Sequence, residues 1–454
     1  MFKEFKTFSR FLFASVCLSA SAVPVLAAAE LVDVPVEQTE DDALLFLGID
    51  EVVELVRSQS LETLIARESV HRALELSFQQ RAALLPQLGV RAQQTRQQIA
   101  RGFAGGEFET SRVNSFGARM EASQALFDPN RYANYRLSLL EHSIAELNFE
   151  VAVQDILEQA IQLYFTHLRD LRRIEVIAGN IERNQSLLDL AKNQFEAGAA
   201  IKLDVTRAEV RVATERRSLM EAQTLAEESM LQLKELLDVD YDREIVVDRS
   251  IIEGINAPPS LKRYGSMERM LEDRPELAGQ QMRLDQAELA SRAASWQRLP
   301  RVELFGDWGY DTDRAFDGGE TEGWLVGVRV NVPIFEGGRI SAEKREALAA
   351  ARQNAYRMRD LKNRVEREFR FALLSMDSRY AQIEIARDEI RLGRDEVEQA
   401  EERYREGLAD NRELIDAQQR LSDAETSHLH AVYLYGLSRL AFARAIGSAE
   451  RVLE

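Results

Sequence analysis

One pattern is written twice in this chain, at an offset near 209 residues, and that repetition restricts the fold more than any composition value. Leu85-Pro86-Gln87-Leu88 returns as Leu299-Pro300-Arg301-Val302. Leu126-Phe127-Asp128-Pro129-Asn130-Arg131 returns as Ile334-Phe335-Glu336-Gly337-Gly338-Arg339, and Phe195-Glu196-Ala197-Gly198 returns as Tyr404-Arg405-Glu406-Gly407. Three landmarks in the same order mark duplication of a whole unit of some 200 residues. Each copy reads as a strand pair, a very long helix, a sharp turn and a second helix. Units that cannot bury their apolar faces alone need a partner copy, and often partner chains.

The first 29 residues read as an export leader. Lys3, Lys6 and Arg10 precede a short apolar run over 11–18, and Val25-Leu26-Ala27 or Ala27-Ala28-Ala29 offers small residues for cleavage. A membrane anchor helix needs about 20 apolar residues, more than this run supplies. Cys17, the only cysteine, lies inside the leader, so the mature chain is expected to carry no disulfide framework and no cysteine metal site. Formal charge is −18; without Lys3, Lys6, Arg10 and Glu4, 55 basic and 75 acidic residues remain, or −20. Such a chain repels nucleic acid.

Residues 30–46 read as an extended or disordered lead-in. The first structural repeat is expected over 47–238, with a helix from an Asp50 N-cap to about Leu84 and strands at about 88–100 and 113–127. Between 130 and 196 there is no proline and one glycine, Gly179, and a second helix follows from about Leu203 to Leu237. Residues 239–270 contain Pro258-Pro259 and read as an irregular connector. The second repeat, 271–447, is expected to hold strands at about 301–311 and 322–335, a helix from Ile340 to Arg405 and another from about Glu413 to Ile446. Residues 448–454 form a tail. At 1.5 Å per residue a helix of roughly 65 residues spans about 100 Å, a length that belongs to coiled-coil or tubular assemblies.

Trp324, Val326, Val328, Val330, Val332 and Ile334 share one face under a period of two, as do Val302, Leu304, Gly306, Trp308 and Tyr310 in the preceding strand. Strands of 9–11 residues can cross a bilayer when tilted, and aromatic ends suit a headgroup girdle. A half-buried hairpin on a soluble core gives the same alternation. On the membrane reading, Trp308, Trp324, Val326, Val328, Val330 and Val332 face lipid. Four strands from one chain cannot close, and open edges are not viable in lipid, so several chains must share one barrel.

The last helix carries a seven-residue stripe of Leu414, Leu421, His428, Tyr435 and Phe442 beside Ala417, Ala424, Ala431, Ser438 and Ala445. The first copy has Val205, Val212, Leu219, Ala226 and Leu233 beside Ala208, Glu215, Ala222, Ser229 and Leu236. Such a repeat imposes coiled-coil packing, with or without a lumen.

In this order, and duplicated, these landmarks resemble the TolC-like outer-membrane efflux protein family over about 47–447. The residues that carry the resemblance are Leu47-Gly48-Ile49-Asp50-Glu51-Val52-Val53, Leu85-Pro86, Arg274-Pro275-Glu276-Leu277, Val332-Pro333-Ile334-Phe335-Glu336-Gly337-Gly338-Arg339, and Tyr404 with Gly407 before Leu414-Ile415-Asp416-Ala417. The resemblance implies a mainly α fold with a transmembrane β-barrel portion: a homotrimer in which four strands per chain make a twelve-stranded barrel above a long α-helical periplasmic tunnel. It implies export of drugs, metals or secreted polypeptide together with a periplasmic adaptor (membrane fusion) protein and an inner-membrane pump of RND, ABC or MFS type. It implies no catalysis and no cofactor. Ala197, Gly198, Ala199, Glu406, Gly407 and Leu408 match the tips that meet the adaptor, and Asp204, Glu413 and Asp416 match the acids lining the periplasmic entrance. Threefold symmetry would gather those acids into rings that favour cations and bind divalent metals; first-turn acids at Asp204 and Glu413 also serve the helix dipole. Some members carry an arginine two residues past the second tip glycine; here that position is Ala409, and Arg412 is out of register.

Nothing in the sequence resembles a catalytic constellation. His71, His142, His167, His428 and His430 are scattered without zinc-site spacing, and Gly102 to Gly106 lacks the lysine and helix of a phosphate loop. The rival to a channel is a periplasmic coiled-coil scaffold or adaptor that conducts nothing.

Overall fold

Two helices of about 100 Å each organise the described residues. The computed structural model describes residues 44–102, 108–198, 200–250, 274–313 and 321–450. In chain order the elements are β1 (Leu45–Leu47), α1 (Ile49–Ser58), α2 (Leu61–Ala82), β2 (Gln87–Gly102), β3 (Phe108–Phe127) and α3 (Pro129–Glu196). Then come α4 (Lys202–Leu237), β4 (Ile245–Val247), α5 (Pro275–Trp296), β5 (Arg301–Thr312), β6 (Thr321–Asn331), α6 (Arg339–Arg405) and α7 (Asn411–Ala445). The leader, residues 251–273 of the connector and the end of the tail lie outside the described residues.

α3 has 68 residues and α6 has 67. Each long helix is flanked by two shorter ones laid end to end: α2 then α4 along α3, and α5 then α7 along α6. Further packing of α3 on α5 and α7 joins the copies. The corner between sheet and helix is built twice by different means. In the first copy the Asp128 carboxylate caps α3, accepting from the backbone N–H groups of Asn130 and Arg131, and Arg131 donates to the Ala83 carbonyl at 2.9 Å. In the second, Gly338 starts α6 at φ 86°, and Arg339 donates to Gln297 at 3.0 Å. Ala83 and Gln297 are the C-caps of α2 and α5, so each arginine ties a long helix to the end of its shorter neighbour.

The main core lies midway along the shaft. Val153, Leu157, Ile161, Tyr164 and Leu168 of α3 meet Ile49, Val52 and Val56 of α1, Leu233 and Leu237 of α4, and Tyr435 and Phe442 of α7. β1 and β4 pair in parallel there, and Tyr164 Oη reaches the carbonyls of Leu47 at 3.1 Å and Asp248 at 3.0 Å, next to both strand ends. Burial holds the Tyr164 phenol far above its ordinary pKa, so it stays a donor at any physiological pH. The heptad stripes face inward: Leu414, Leu421, Tyr435 and Phe442 are buried, as are Ala417, Ala431 and Ala445, and so are Val212, Ala226 and Leu233 with Ala208 and Ala222 in the first copy. Each fully buried large side chain contributes about 1.5–3 kcal/mol.

Three local expectations change. The helix expected from an Asp50 cap begins instead at Gly48, whose N–H is taken by the Glu51 carboxylate at 3.0 Å. It breaks after Ser58 because Ser60 turns extended and starts a new helix. The break lets α1 keep Ile49, Val52 and Val56 on the core while α2 follows α3. The strand expected over 322–335 ends at Asn331, opposite Arg301. Pro333 cannot donate to a ladder, and β5 offers no residue beyond Arg301, which itself follows Pro300, so Val332 lies outside the sheet. β2 and β3 are longer than expected, reaching Gly102 and starting at Phe108.

α6 and α7 approach closely at Gly393: a Cβ there would sit 3.3 Å from the Leu421 Cα and 3.5 Å from its Cδ1. Gly393→Val is therefore expected to force the helices apart and destabilise the fold by about 1–3 kcal/mol, read as a lower thermal midpoint of the detergent-extracted protein.

Candidate functional site

Two surfaces carry the functional geometry, a two-faced sheet at one end of the shaft and a pair of helical reversals at the other. The sheet has order β2-β3-β5-β6, antiparallel throughout, so the two hairpins of the two copies meet at β3–β5. Its register lines the side chains up in rows. Leu88, Ala122, Gly306 and Val326 form one row on one face; Val90, Met120, Trp308 and Trp324 form the next; Ala92, Ala118, Tyr310 and Glu322 the third. Leu304 opposite Val328 and Val302 opposite Val330 complete this apolar face. These side chains are open: Val90 is 78% exposed and Trp324 70%. Trp308 donates its indole N–H to Glu322 at 2.9 Å and stands edge-on to Tyr310, the arrangement of an aromatic belt with a wet rim.

The opposite face is ionic. Arg91 pairs with Glu121 at 2.9 Å, Arg329 with Glu303 at 3.3 Å, and Arg119 with both Asp307 and Asp311. Phe305 covers Gly327, where a Cβ would meet its ring at 3.0 Å, and Arg329 lies over that ring at 4.4 Å. An isolated soluble sheet does not leave such an apolar face uncovered. Among the described residues, no helix is long and apolar enough to cross a membrane. Of the residues expected to face lipid, Trp308, Trp324, Val326, Val328 and Val330 sit on the apolar face; Val332 is exposed beyond the strand, followed by Ile334 at 94% and Phe335 at 87% exposure.

At the far end both reversals turn on glycine. Gly198 has φ 76° and Gly407 φ 72°, the left-handed region that glycine enters without a Cβ clash. The second tip closes a full helix stop, with Leu408 N–H to the Arg403 carbonyl at 2.8 Å and Gly407 N–H to that of Tyr404 at 3.1 Å. Ala197 caps α3, Glu406 caps α6, and Ala199 lies outside the described residues. The tips are tied together: Gln194 donates to the Tyr404 carbonyl at 3.3 Å, and buried Asn411 donates to that of Asp204 at 2.9 Å. Tyr404 Oη is buried without a hydrogen-bond partner, and burial together with Asp204 raises its pKa. The three acids do not stand bare. Asp204 faces Arg207 at 3.4 Å, Glu413 faces Arg403 at 3.1 Å across the two helices, and Asp416 faces Arg412 at 3.9 Å on its own helix.

A model of a known family matches residues 52–238 and 267–448, under the description outer membrane efflux protein. The chain belongs to the outer membrane efflux protein family. It is 25% identical to the pyoverdine export outer membrane protein OpmQ of Pseudomonas aeruginosa, over 82% of this chain and 78% of that one. It is 24% identical to the alkaline protease secretion protein AprF of the same organism, over 80% and 77%. The fold matches the Campylobacter jejuni CmeC outer membrane channel with a TM-score of 0.74 at 20% identity, covering 88% of this chain and 85% of that one. Against Vibrio cholerae VceC the TM-score is 0.73 at 18% identity, covering 88% and 96%. Membership places this efflux protein in the outer membrane, as a channel of a transport family.

An ionic joint that sequence reasoning missed holds the efflux protein together beside its core. Arg444 of α7 reaches Asp155 of α3 at 2.6 Å and Glu276 of α5 at 2.7 Å, with Glu158 at 3.7 Å. Arg274, 4% exposed, lies 3.5 Å from both Glu276 and Glu368 of α6. Arg274 and Glu276 stood out in sequence as a landmark, but nothing there pointed to Arg444, whose counterpart in the first copy is Glu235. Burial pushes the Glu276 pKa up, but Arg444, its own backbone N–H and Arg274 outweigh that and hold it below the ordinary value. At Glu158 burial dominates, with Asp155 and Glu368 adding, and the pKa is raised.

The two carboxyls then act on stability with opposite sign. A depressed pKa stabilises at neutral pH and loses that contribution as pH falls through the folded value; a raised one costs stability once the group ionises. Glu276→Gln is expected to lower the thermal midpoint at neutral pH, with the deficit closing below the ordinary carboxylate range. Glu158→Gln is expected to match or exceed the parent at neutral pH and to lose any advantage on acidification. Paired melting curves from about pH 2 to pH 8 read both.

Proposed function

We propose that three copies of this chain share one twelve-stranded outer-membrane barrel whose pore continues into a periplasmic helical tunnel. The observation that carries the reading is the sheet: four strands with an uncovered apolar face, an ionic face, and two open edges at β2 and β6. From Val302 to Tyr310 the apolar face runs about 26 Å along the strand, close to the roughly 25 Å band of an outer-membrane barrel. Strand tilt shortens it, and the exposed residues 332–335 extend the apolar surface toward the helices. The ionic face then lines the lumen.

Residues 1–29 are a cleaved leader in this reading, 47–238 and 271–447 the repeats, and 239–270 an equatorial connector. The tips, Ala197, Gly198 and Ala199 with Glu406, Gly407 and Leu408, dock a periplasmic adaptor that links the channel to an inner-membrane pump. Asp204, Glu413 and Asp416 line the entrance. Their arginine partners leave little uncompensated charge in each chain, so cation preference there depends on how far entrance opening separates Arg403 from Glu413. Relatives named for pyoverdine export, alkaline protease secretion and toluene efflux support a conduit that is wide rather than built around one solute. The protein's work is passage, not catalysis.

One assay on two variants tests both ends. Arg at a lipid-facing position near the midplane costs about 2–4 kcal/mol, so Val328→Arg is expected to reduce the detergent-extractable outer-membrane oligomer. Gly407→Val, β-branched at positive φ, is expected to insert normally yet lose export. Full release of the parent protein into soluble periplasmic extract would refute the channel, and normal export by Gly407→Val would refute tip docking.

A further inference from the structure

The ionic face of the sheet holds one arrangement that strand pairing alone does not require. Arg119 of β3 stands opposite Gly309 of β5, and the two residues flanking that glycine on the same face are Asp307 and Asp311. The guanidinium forks between them, Nη1 to Asp307 and Nη2 to Asp311. Gly309 makes room for this: a Cβ there would lie 2.7 Å from the Arg119 Cγ and 2.2 Å from the Ala118 carbonyl oxygen. Gly323 of β6 leaves the next strand open as well, with the Arg119 Nη2 4.0 Å from where its Cβ would be. The arginine thus lies across β5 in a two-glycine window. Elsewhere on this face Arg91 is balanced by Glu121 and Arg329 by Glu303, while Arg301 stands opposite Asn331 at the other end of β5, eight residues from Gly309. At Arg119 two carboxylates meet one cation.

We propose that Arg119, Asp307 and Asp311 form a charge filter in the barrel lumen, with Arg119 as the residue that sets its strength. The inference rests on the shared-barrel reading above. Each chain contributes one net negative charge at this level, and the copies repeat it around the pore. Strands about 4.8 Å apart, twelve of them tilted by about 40°, give a backbone radius near 12 Å. Side chains reach inside that radius, so the axis lies within about one Debye length, 10 Å, at 0.1 M salt. The filter favours cationic solutes and disfavours anions after they have passed the periplasmic entrance. It sits beside the aromatic belt of Trp308, Trp324 and Tyr310, in the part of the barrel remote from the helices.

The test is the K+/Cl− permeability ratio of the purified full-length oligomer in planar bilayers, from reversal potentials in a salt gradient kept below 0.1 M, where screening is weak. Arg119→Gln leaves two unpaired carboxylates per chain and is expected to raise the ratio. The double change Asp307→Asn with Asp311→Asn leaves the arginine alone and is expected to lower it. Structural damage to the sheet has no reason to move the two variants in opposite directions. If Arg119→Gln does not insert, the carboxamide variant alone must shift toward chloride. An unchanged ratio in conducting variants, or shifts of the same sign, would overturn the filter. A parent oligomer that inserts and never conducts would instead overturn the channel reading beneath it.

Discussion

A peptide N–H or C=O left without a partner in hydrocarbon costs several kcal/mol, and the edges of β2 and β6 carry whole rows of them. That constraint governs the rest of the molecule. A four-stranded sheet with an uncovered apolar face cannot rest in water with that face open, and it cannot rest in lipid with its edges open. Lateral union with further copies answers both demands, because the same edges that are a liability in one chain become ladder partners in a ring. In the proposed ring each copy supplies one hairpin, and the β3–β5 ladder joins the two inside one chain.

Much of this was legible in the residues. Period-two alternation in β5 and β6 was visible because most outward positions are large and apolar and most inward ones are polar, small or aromatic, with Gly306, Glu322 and Leu325 among the exceptions. The heptad stripes were visible because small and large apolar residues recur at sevens over five positions in each copy, His428 and Glu215 among the exceptions. The reversals at Gly198 and Gly407 were visible because glycine alone enters positive φ without strain. The features that escaped depend on partners far along the chain. Pairing of β1 with β4 joins residues about 200 apart, and a three-residue strand has no periodicity to read. The end of β6 at Asn331 was set by where β5 begins rather than by the still-alternating Val332 and Ile334. The Arg444–Glu276–Arg274 joint breaks the repeat symmetry, so comparing the two copies could not find it.

The two ends of the shaft treat charge in related ways. At the tips each expected entrance acid has its own arginine, and Arg403 with Glu413 bridges neighbouring helices. In the sheet Arg91 and Arg329 likewise each have a carboxylate on the adjacent strand, and Arg119 has two. Pairing at this level keeps a lined pore from becoming a strong ion trap while holding polar side chains in place.

The central claim is that closure comes from several chains. Native mass spectrometry of the detergent-extracted outer-membrane protein tests it most directly. The account predicts a discrete trimer with no folded, membrane-inserted monomer at equilibrium. A stable inserted monomer would contradict it, because the open edges of β2 and β6 would then have to be tolerated in lipid.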